Sequence, residues 1–278
     1  MMRIRILGSA AAEAVPSLWC QCEVCRQARQ NGGKDLRRRT SYLIDGDTMI
    51  DFGPDAFWQT WDAGVLWEDL KQIIFTHQHS DHCNPVELGW RRKGFSQNAP
   101  ALTIYGSPEI RKYCNDIMSK TAMQNVELWP DTTWVEPENG VPMQAYNMEI
   151  FSIPARHSAV DARNYILTRD GKSLLIAHDS GFWTEDAWNI AAAGRPVDCV
   201  IFDGTCALKF ADVEDGHMGA EVGVRFRDEL LKRGILKKDG LAVVNHFSHN
   251  GNSTHADLEA FFTPHGIEVG YDGKVIEL

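Results

Sequence analysis

Four potential metal donors fall within six residues of the stretch Thr76-His77-Gln78-His79-Ser80-Asp81-His82. The apolar run Ile73-Ile74-Phe75 leads into them, which reads as a short buried strand ending in a donor-rich loop. In extended chain alternate side chains point to one side, so His77 and His79 face together, and Asp81 and His82 follow where the chain can turn. Imidazoles this close repel one another once protonated. They make sense when held neutral around a divalent metal. The bland alternative is a polar surface loop that happens to be rich in histidine. The position at a strand end, where the active-site groups of α/β folds gather, argues against it.

Other runs end on residues of the same chemistry. His157 stands just past Ile153-Pro154-Ala155-Arg156, although a lone histidine is more often a surface residue. The apolar stretch Ser173 to Ala177 is followed by His178 and Asp179, and Leu241 to Asn245 by His246. His178, one residue before Asp179 on a strand, faces the other way, into the core or behind the site. Asp51 could accept an N–H from a ligating histidine and fix its tautomer, or be a plain turn residue. Upstream, Cys20, Cys22 and Cys25 form a C-x-C-x-x-C cluster. Three thiolates so close suit a soft, tetrahedral Zn²⁺ that needs a fourth ligand, and His249 could supply it; a cysteine-rich stretch without metal is the alternative. Such a zinc would pin a long N-terminal loop against the rim of the site. Cys83, Cys114, Cys199 and Cys206 read as buried apolar residues.

The elements that must position these groups alternate along the chain. Arg3 to Gly8 is a strand, and Ser41 to Phe52 a hairpin turning at Asp45-Gly46-Asp47. Phe57 to Ala63 is helical. Lys71 to Phe75 is the strand before the donor loop, and Pro85 to Arg92 a helix capped by Asn84 with Pro85 at its first position. Leu102 to Tyr105 is a strand, and Ser107-Pro108 opens a helix to about Met118. Short strands and turns fill Val126 to Ile153. Tyr165 to Thr168 and Ser173 to Ala177 form a hairpin. Helices at Thr184 to Ala193 and Gly219 to Arg233 alternate with buried strands at Cys199 to Asp203 and Leu241 to Asn245. Ser253-Thr254 caps a last helix to about Phe262, before strands at Ile267 to Val269 and Val275 to Glu277. No linker or repeat interrupts this order, so residues 1–278 read as a single α/β domain, layered with helices outside the sheets.

Composition removes some function classes. The chain has 278 residues, with 28 basic against 38 acidic and a net charge of −10. An acidic protein lacks the basic footprint of a nucleic-acid binder. A small anion held by local cations stays compatible with it, and Arg37-Arg38-Arg39 is the most basic run, either steering a phosphate or simply solvated. Trp90, Arg91 and Arg92, just after the donor loop, could line a pocket or pack a helix. The N-terminus alternates like a strand and does not read as a signal peptide, and no stretch approaches the length of a membrane span. With seven cysteines, an odd number, this points to reduced thiols and a cytoplasmic setting, with no membrane partner.

The spacing His77-x-His79-x-Asp81-His82 resembles that of the metallo-β-lactamase-fold hydrolases. The resemblance implies a four-layered αββα sandwich of two mixed sheets with helices outside. It also implies the ligands: His77, His79, His157 and Asp179 for a first divalent ion, and Asp81, His82, Asp179 and His246 for a second, with Asp179 bridging. The ions would be Mn²⁺, Zn²⁺ or Fe, activating a water for attack. With Cys20, Cys22, Cys25 and His249 as a structural zinc site, the chain resembles most the PhnP-type phosphodiesterases of the carbon–phosphorus lyase pathway, which act on phosphoribosyl cyclic phosphate. That implies hydrolysis of a small, cyclic or nucleotide-like phosphodiester, a small phosphorylated substrate as partner, and a homodimer. Asp81 would orient the attacking water. His217, in Asp215-Gly216-His217-Met218-Gly219, would act as general acid, or else be an exposed loop histidine. The cysteine motif also resembles PqqB, a metal-binding biosynthetic accessory protein, and the ligand order resembles tRNase Z, an RNA-processing nuclease. The intact donor set speaks against the first, and the acidic charge against the second.

Overall fold

The computed structural model describes residues 1–120 and 127–278, so Val126, the expected start of the strand-and-turn region, lies outside the described residues. The first half runs β1 (Arg3–Gly8), α1 (Glu23–Asn31), β2 (Ser41–Ile44), β3 (Thr48–Ile50), α2 (Ala56–Ala63), β4 (Gln72–Ile74), α3 (Pro85–Leu88), β5 (Leu102–Tyr105), α4 (Pro108–Lys120) and β6 (Thr132–Val135). The second runs β7 (Pro142–Ala145), β8 (Met148–Pro154), β9 (Arg163–Arg169), β10 (Lys172–Ala177), α5 (Glu185–Ala193), β11 (Val197–Asp203), α6 (Ala220–Lys232), β12 (Leu236–Asn245), α7 (His255–Phe262), β13 (Glu268–Val269) and β14 (Val275–Glu277).

These strands make two seven-stranded sheets, ordered β14-β1-β2-β3-β4-β5-β6 and β13-β12-β11-β10-β9-β8-β7. Both are mixed. The hairpin pairs, such as β2 with β3 and β9 with β10, are antiparallel. The crossover pairs β3–β4–β5–β6 and β10–β11–β12–β13 are parallel. Side-chain alternation on the strands builds the layers. Ile74 and Ile201 point into the core between the sheets, with Ile4, Tyr42, Tyr165 and Val243. Their neighbours point outward: Ile73 packs with Leu88, Ile110 and Cys114 under the helices of the first half, and Val200 and Phe202 pack with Trp188, Phe226 and Phe262 under those of the second. The result is the expected αββα sandwich.

Two expectations need correction. The cysteine-bearing segment is not only loop: after Cys22, which caps it in extended conformation, residues Glu23–Asn31 form α1, whose narrow buried stripe is Val24, Cys25 and Ala28. The helix expected over Pro85 to Arg92 ends as an α-helix at Leu88 and tightens into a 3₁₀ turn over Gly89–Arg91. The narrowing falls at Gly89, where a Cβ would come within 2.3 Å of Met118 Cε, so a larger residue there would displace the end of the Met118 side chain. The expected caps are present: the Asn84 side chain accepts from Glu87 N–H, and Thr254 and Asp257 form a capping box on α7.

Candidate metal centre

The parallel strands of both sheets deliver their C-terminal ends to one edge, where crevices form in open α/β sheets. β3 ends before Asp51, β4 leads into the His77–His82 loop, β10 into Asp179, β11 ends on Asp203 and β12 precedes His246. Asp51, Asp179 and His246 all take left-handed backbone conformations (φ of 58°, 52° and 64°), which non-glycine residues rarely adopt. Strain of this kind gathers where the surroundings hold a side chain in a required direction.

The donor atoms converge as two sets. One ligand atom each from His77, His79, His157 and Asp179 lie within 4.8 Å of one another, and so do those of Asp81, His82, Asp179 and His246. His157 Nε2 stands 3.1 Å from His79 Nδ1, and His246 Nε2 stands 3.3 Å from His82 Nε2. His82 Nε2 is 3.0 Å from both Asp81 Oδ2 and Asp179 Oδ2. His77 Nε2 and Asp179 Oδ1 are buried without a hydrogen-bond partner, although His77 Nε2 lies 3.1 Å from Asp179 Oδ2. Buried donors left in that state fit a cation shared among them.

Four of the five imidazoles are held at one ring nitrogen. His82 Nδ1 meets Asp51 Oδ2 at 2.7 Å, His246 Nδ1 meets Thr205 Oγ1 at 2.8 Å, His157 Nδ1 meets Gly216 O at 3.2 Å and His77 Nδ1 meets Thr76 Oγ1 at 3.1 Å. Anchors of this kind fix ring orientation and leave the opposite nitrogen for a metal. Asp51 therefore supports the site: its carboxylate also accepts from Thr76 N–H and Thr76 Oγ1 and contacts His178 Nε2 at 3.0 Å. His178 lies behind the donors, its ring stacked 5.3 Å from that of His82.

Asp203 is the residue the sequence reading passed over. It accepts from Asp179 N–H, Thr205 N–H, Thr205 Oγ1 and Met218 N–H, and its Oδ2 stands 3.3 Å from His217 Nδ1. Asp179, Asp203, His217 and His246 form a further convergent set. With its oxygens engaged by four protein donors, Asp203 is suited to orienting its neighbours more than to holding an ion. The signal was in the chain: Val200-Ile201-Phe202-Asp203 is an apolar strand ending on an acid, as is Leu174-Leu175-Ile176-Ala177-His178-Asp179.

Electrostatics divides the imidazoles. Burial pushes His77 and His246 down to about 4, so both are neutral and ready to ligate. Burial works against the charge of His217 as well, but Asp203 outweighs it and raises the pKa to about 9. Burial opposes ionisation of Asp179, yet His246 and His77 hold its carboxyl well below the usual range.

Cys20, Cys22, Cys25 and His249 also place their donor atoms within 4.8 Å of one another, with His249 Nδ1 3.6 Å from both Cys20 and Cys22 Sγ. Ser17 N–H points at Cys25 Sγ and Cys22 N–H at Cys20 Sγ, each at 3.4 Å. Burial pushes the Cys25 thiol up to about 12, a cost that a bound cation offsets. The donor chemistry fits zinc, as the sequence reading expected. Cys22→Ser is expected to lower zinc content by about one ion per chain and to cut thermal stability, because metal binding in such a set is folding free energy. Metal analysis beside a melting curve checks this, and unchanged zinc would remove the site.

The basic run does not reach the donors. Arg37 is buried, donating to Ser9 Oγ and Gly270 O, while Arg38 pairs with Asp62 and Arg39 with Asp55. Trp90 and Arg91 line a separate apolar cavity of about 260 Å³ together with Phe57 and Trp67. Arg92 is buried and donates to Gly89 O. Of the remaining cysteines, Cys83, Cys114 and Cys199 are buried as expected; Cys206 is only partly so and lies on the wall of the donor cavity.

Among the described residues no helix is long and apolar enough to cross a membrane. Residues 47–236 match the family described as the β-lactamase superfamily domain. An octanoyltransferase from Porphyromonas gingivalis is 25% identical over 98% of this chain, which spans only 51% of that protein's length. Among solved structures, a diphosphatase of the PhnP family superposes with a TM-score of 0.78 at 18% identity, covering 100% of this chain and 98% of its own. Zinc-bound PqqB from Methylobacterium extorquens gives 0.75 at 19%, covering 99% and 100%. The matched region takes in the His77–His82 loop, His157, Asp179 and Asp203, and with the two stacked sheets around them it shows that the chain belongs to the β-lactamase superfamily and carries the metallo-β-lactamase fold.

Proposed function

We propose that the protein is a metal-dependent phosphodiesterase acting on a small phosphodiester, cyclic or nucleotide-like. The observation that carries this reading is Asp179, a buried carboxylate shared by two complete donor sets at the floor of a cavity of about 360 Å³. His77, His79, His157 and Asp179 would hold one divalent ion, and Asp81, His82, Asp179 and His246 the other. Two ions in such a set supply an acidified water and neutralise charge developing on a phosphoryl group.

The chain's own groups do the rest. Asp51, Thr205 and Thr76 keep the imidazoles turned inward. Asp81, part of the cavity wall, orients the attacking water. His217, one-third exposed on the same wall and paired with Asp203, holds a proton for the leaving oxygen. The likeness to a PhnP-family diphosphatase supports phosphorus as the reacting centre. A nuclease reading fits less well, since no lysine or arginine lines the cavity among the described residues.

The test compares bis-p-nitrophenyl phosphate with p-nitrophenyl phosphate after loading with Mn²⁺ or Zn²⁺, counting metal in the same sample. Diester turnover with about three ions per chain is expected. No turnover, with only the thiolate zinc bound, would overturn the proposal in favour of an accessory role like that of PqqB.

A further inference from the structure

The cavity that holds the donor sets has an unusual charge balance for a phosphate site. Among the described residues its walls carry three carboxylates, Glu13, Asp81 and Asp179, and no lysine or arginine. Asp81 and Asp179 belong to the donor sets. Glu13 belongs to neither, and it stands 28% exposed in the cavity wall. The cations around it are engaged elsewhere: Arg156 pairs with Asp215, Arg39 donates to Ala12 O and pairs with Asp55, and Lys209 lies outside the lining, its Nζ over the Phe210 ring.

Glu13 is fixed in place. Its Oε1 accepts from Ser248 Oγ at 2.5 Å and Asn250 Nδ2 at 3.0 Å, and lies 3.5 Å from His249 Nε2. All of these contacts fall on Oε1, so Oε2 meets no protein donor among the described residues. Ser248 and Asn250 lie on the same wall. A carboxylate in a cavity wall, fixed through one oxygen while the other meets no protein donor, accepts a hydroxyl and repels an anion.

We propose that Glu13 is a specificity-determining residue that selects a singly charged phosphodiester with a hydroxyl-bearing leaving group and rejects phosphate monoesters. This rests on the phosphodiesterase reading and names its substrate class. A monoester brings a second negative charge to the reacting phosphoryl, beside the Glu13 carboxylate and with no lysine or arginine on the wall to balance it. A diester brings one charge, and a hydroxyl on its alcohol finds an acceptor at Glu13 Oε2. Like-charge juxtaposition against the wrong ligand is how a site discriminates without a new attractive contact.

Glu13→Gln keeps the size of the side chain and an oxygen for Ser248 while removing the charge, so it tests selection more than folding. Two measurements are made on metal-loaded protein. The first is kcat/KM for p-nitrophenyl phosphate over that for bis-p-nitrophenyl phosphate. The second is calorimetric binding of inorganic phosphate against dimethyl phosphate. The substitution is expected to raise the monoester-to-diester ratio about tenfold and to tighten phosphate by a similar factor relative to dimethyl phosphate. An unchanged phosphate preference would overturn the role of Glu13 whatever the wild type hydrolyses. Wild-type protein that hydrolyses neither ester, yet shows the predicted shift in phosphate binding, would overturn the phosphodiesterase reading and leave the selection by Glu13 standing.

Discussion

Asp179→Asn is expected to lower the metal held at the histidine-rich site from about two ions to at most one and to cut diester turnover by about three orders of magnitude. The carboxylate lies in both donor sets, and each of its neighbours in the cluster depends on it. Oδ2 stands 3.1 Å from His77 Nε2, 3.0 Å from His82 Nε2 and 3.6 Å from His246 Nε2, while Oδ1 stands 3.3 Å from His157 Nδ1. An amide keeps the shape and removes the negative charge that would offset repulsion between two bound cations. It also presents an NH₂ group to nitrogens that need lone pairs free for metal. Asp51→Asn is the contrasting substitution. That carboxylate touches His82 only on its outer nitrogen, at 2.7 Å, so the loss is expected to be about 10–100-fold in metal affinity, with both ions still bound at saturating metal. Metal analysis and steady-state kinetics on the two variants separate donor from support. If Asp179→Asn keeps two ions and stays within tenfold of wild-type activity, the shared-carboxylate arrangement is wrong.

The contrast between Asp179 and Asp51 also shows what the sequence could reveal. His77, His79, Asp81 and His82 are legible because a strand followed by a loop fixes their relations locally. His157, Asp179 and His246 are each ordinary residues in isolation; order along the chain pointed to them, and the convergence of strand ends from two sheets brings them together. Asp203 carried the same strand-end signal as Asp179, whereas Glu13 had no local signature. Glu13 sits in an irregular segment before the cysteines, and it reaches Ser248 and Asn250 only because Phe247 pairs with the chain after β1: Ala11 N–H donates to Phe247 O and Phe247 N–H to Ser9 O. Contacts spanning more than two hundred residues cannot be read from periodicity. Helix α1 escaped for a different reason. Only Val24, Cys25 and Ala28 of its nine residues are buried, so its apolar stripe is too narrow to stand out in a run of Glu, Arg, Gln and Asn. The layered architecture, by contrast, rests on strong local alternation, as in Ile73 facing the helices and Ile74 facing the second sheet.

The pair formed by His217 and Asp203 makes the second large prediction. His217→Ala should slow an alkyl diester by about 10²–10⁴-fold and a p-nitrophenyl diester by much less, because p-nitrophenolate leaves without a proton. Equal losses on both substrates would take His217 out of the acid role and leave it a structural contact of Asp179, whose Oδ1 lies 3.2 Å from its Nδ1. Asp203 supplies a second handle. Burial alone would strip the proton from His217; the buried Asp203 carboxylate holds it there, with a pKa near 9 before any metal is bound. His217 is thus protonated at neutral pH in the metal-free protein, and as the acid it should give activity on the alkyl diester a limb that falls with rising pH. Bound cations beside Asp179 will pull the limb to lower pH. Asp203→Asn should pull it lower still, since it removes the largest group raising the pKa, while the p-nitrophenyl diester shows no such limb. Asp203 also accepts from Asp179 N–H, Thr205 and Met218 N–H, so its substitution can loosen the metal set as well. Metal content measured beside the pH profiles tells the two effects apart: a shifted limb at full metal occupancy reports the proton, and lost metal with an unshifted limb would refute the assignment of Asp203 as the partner of the acid.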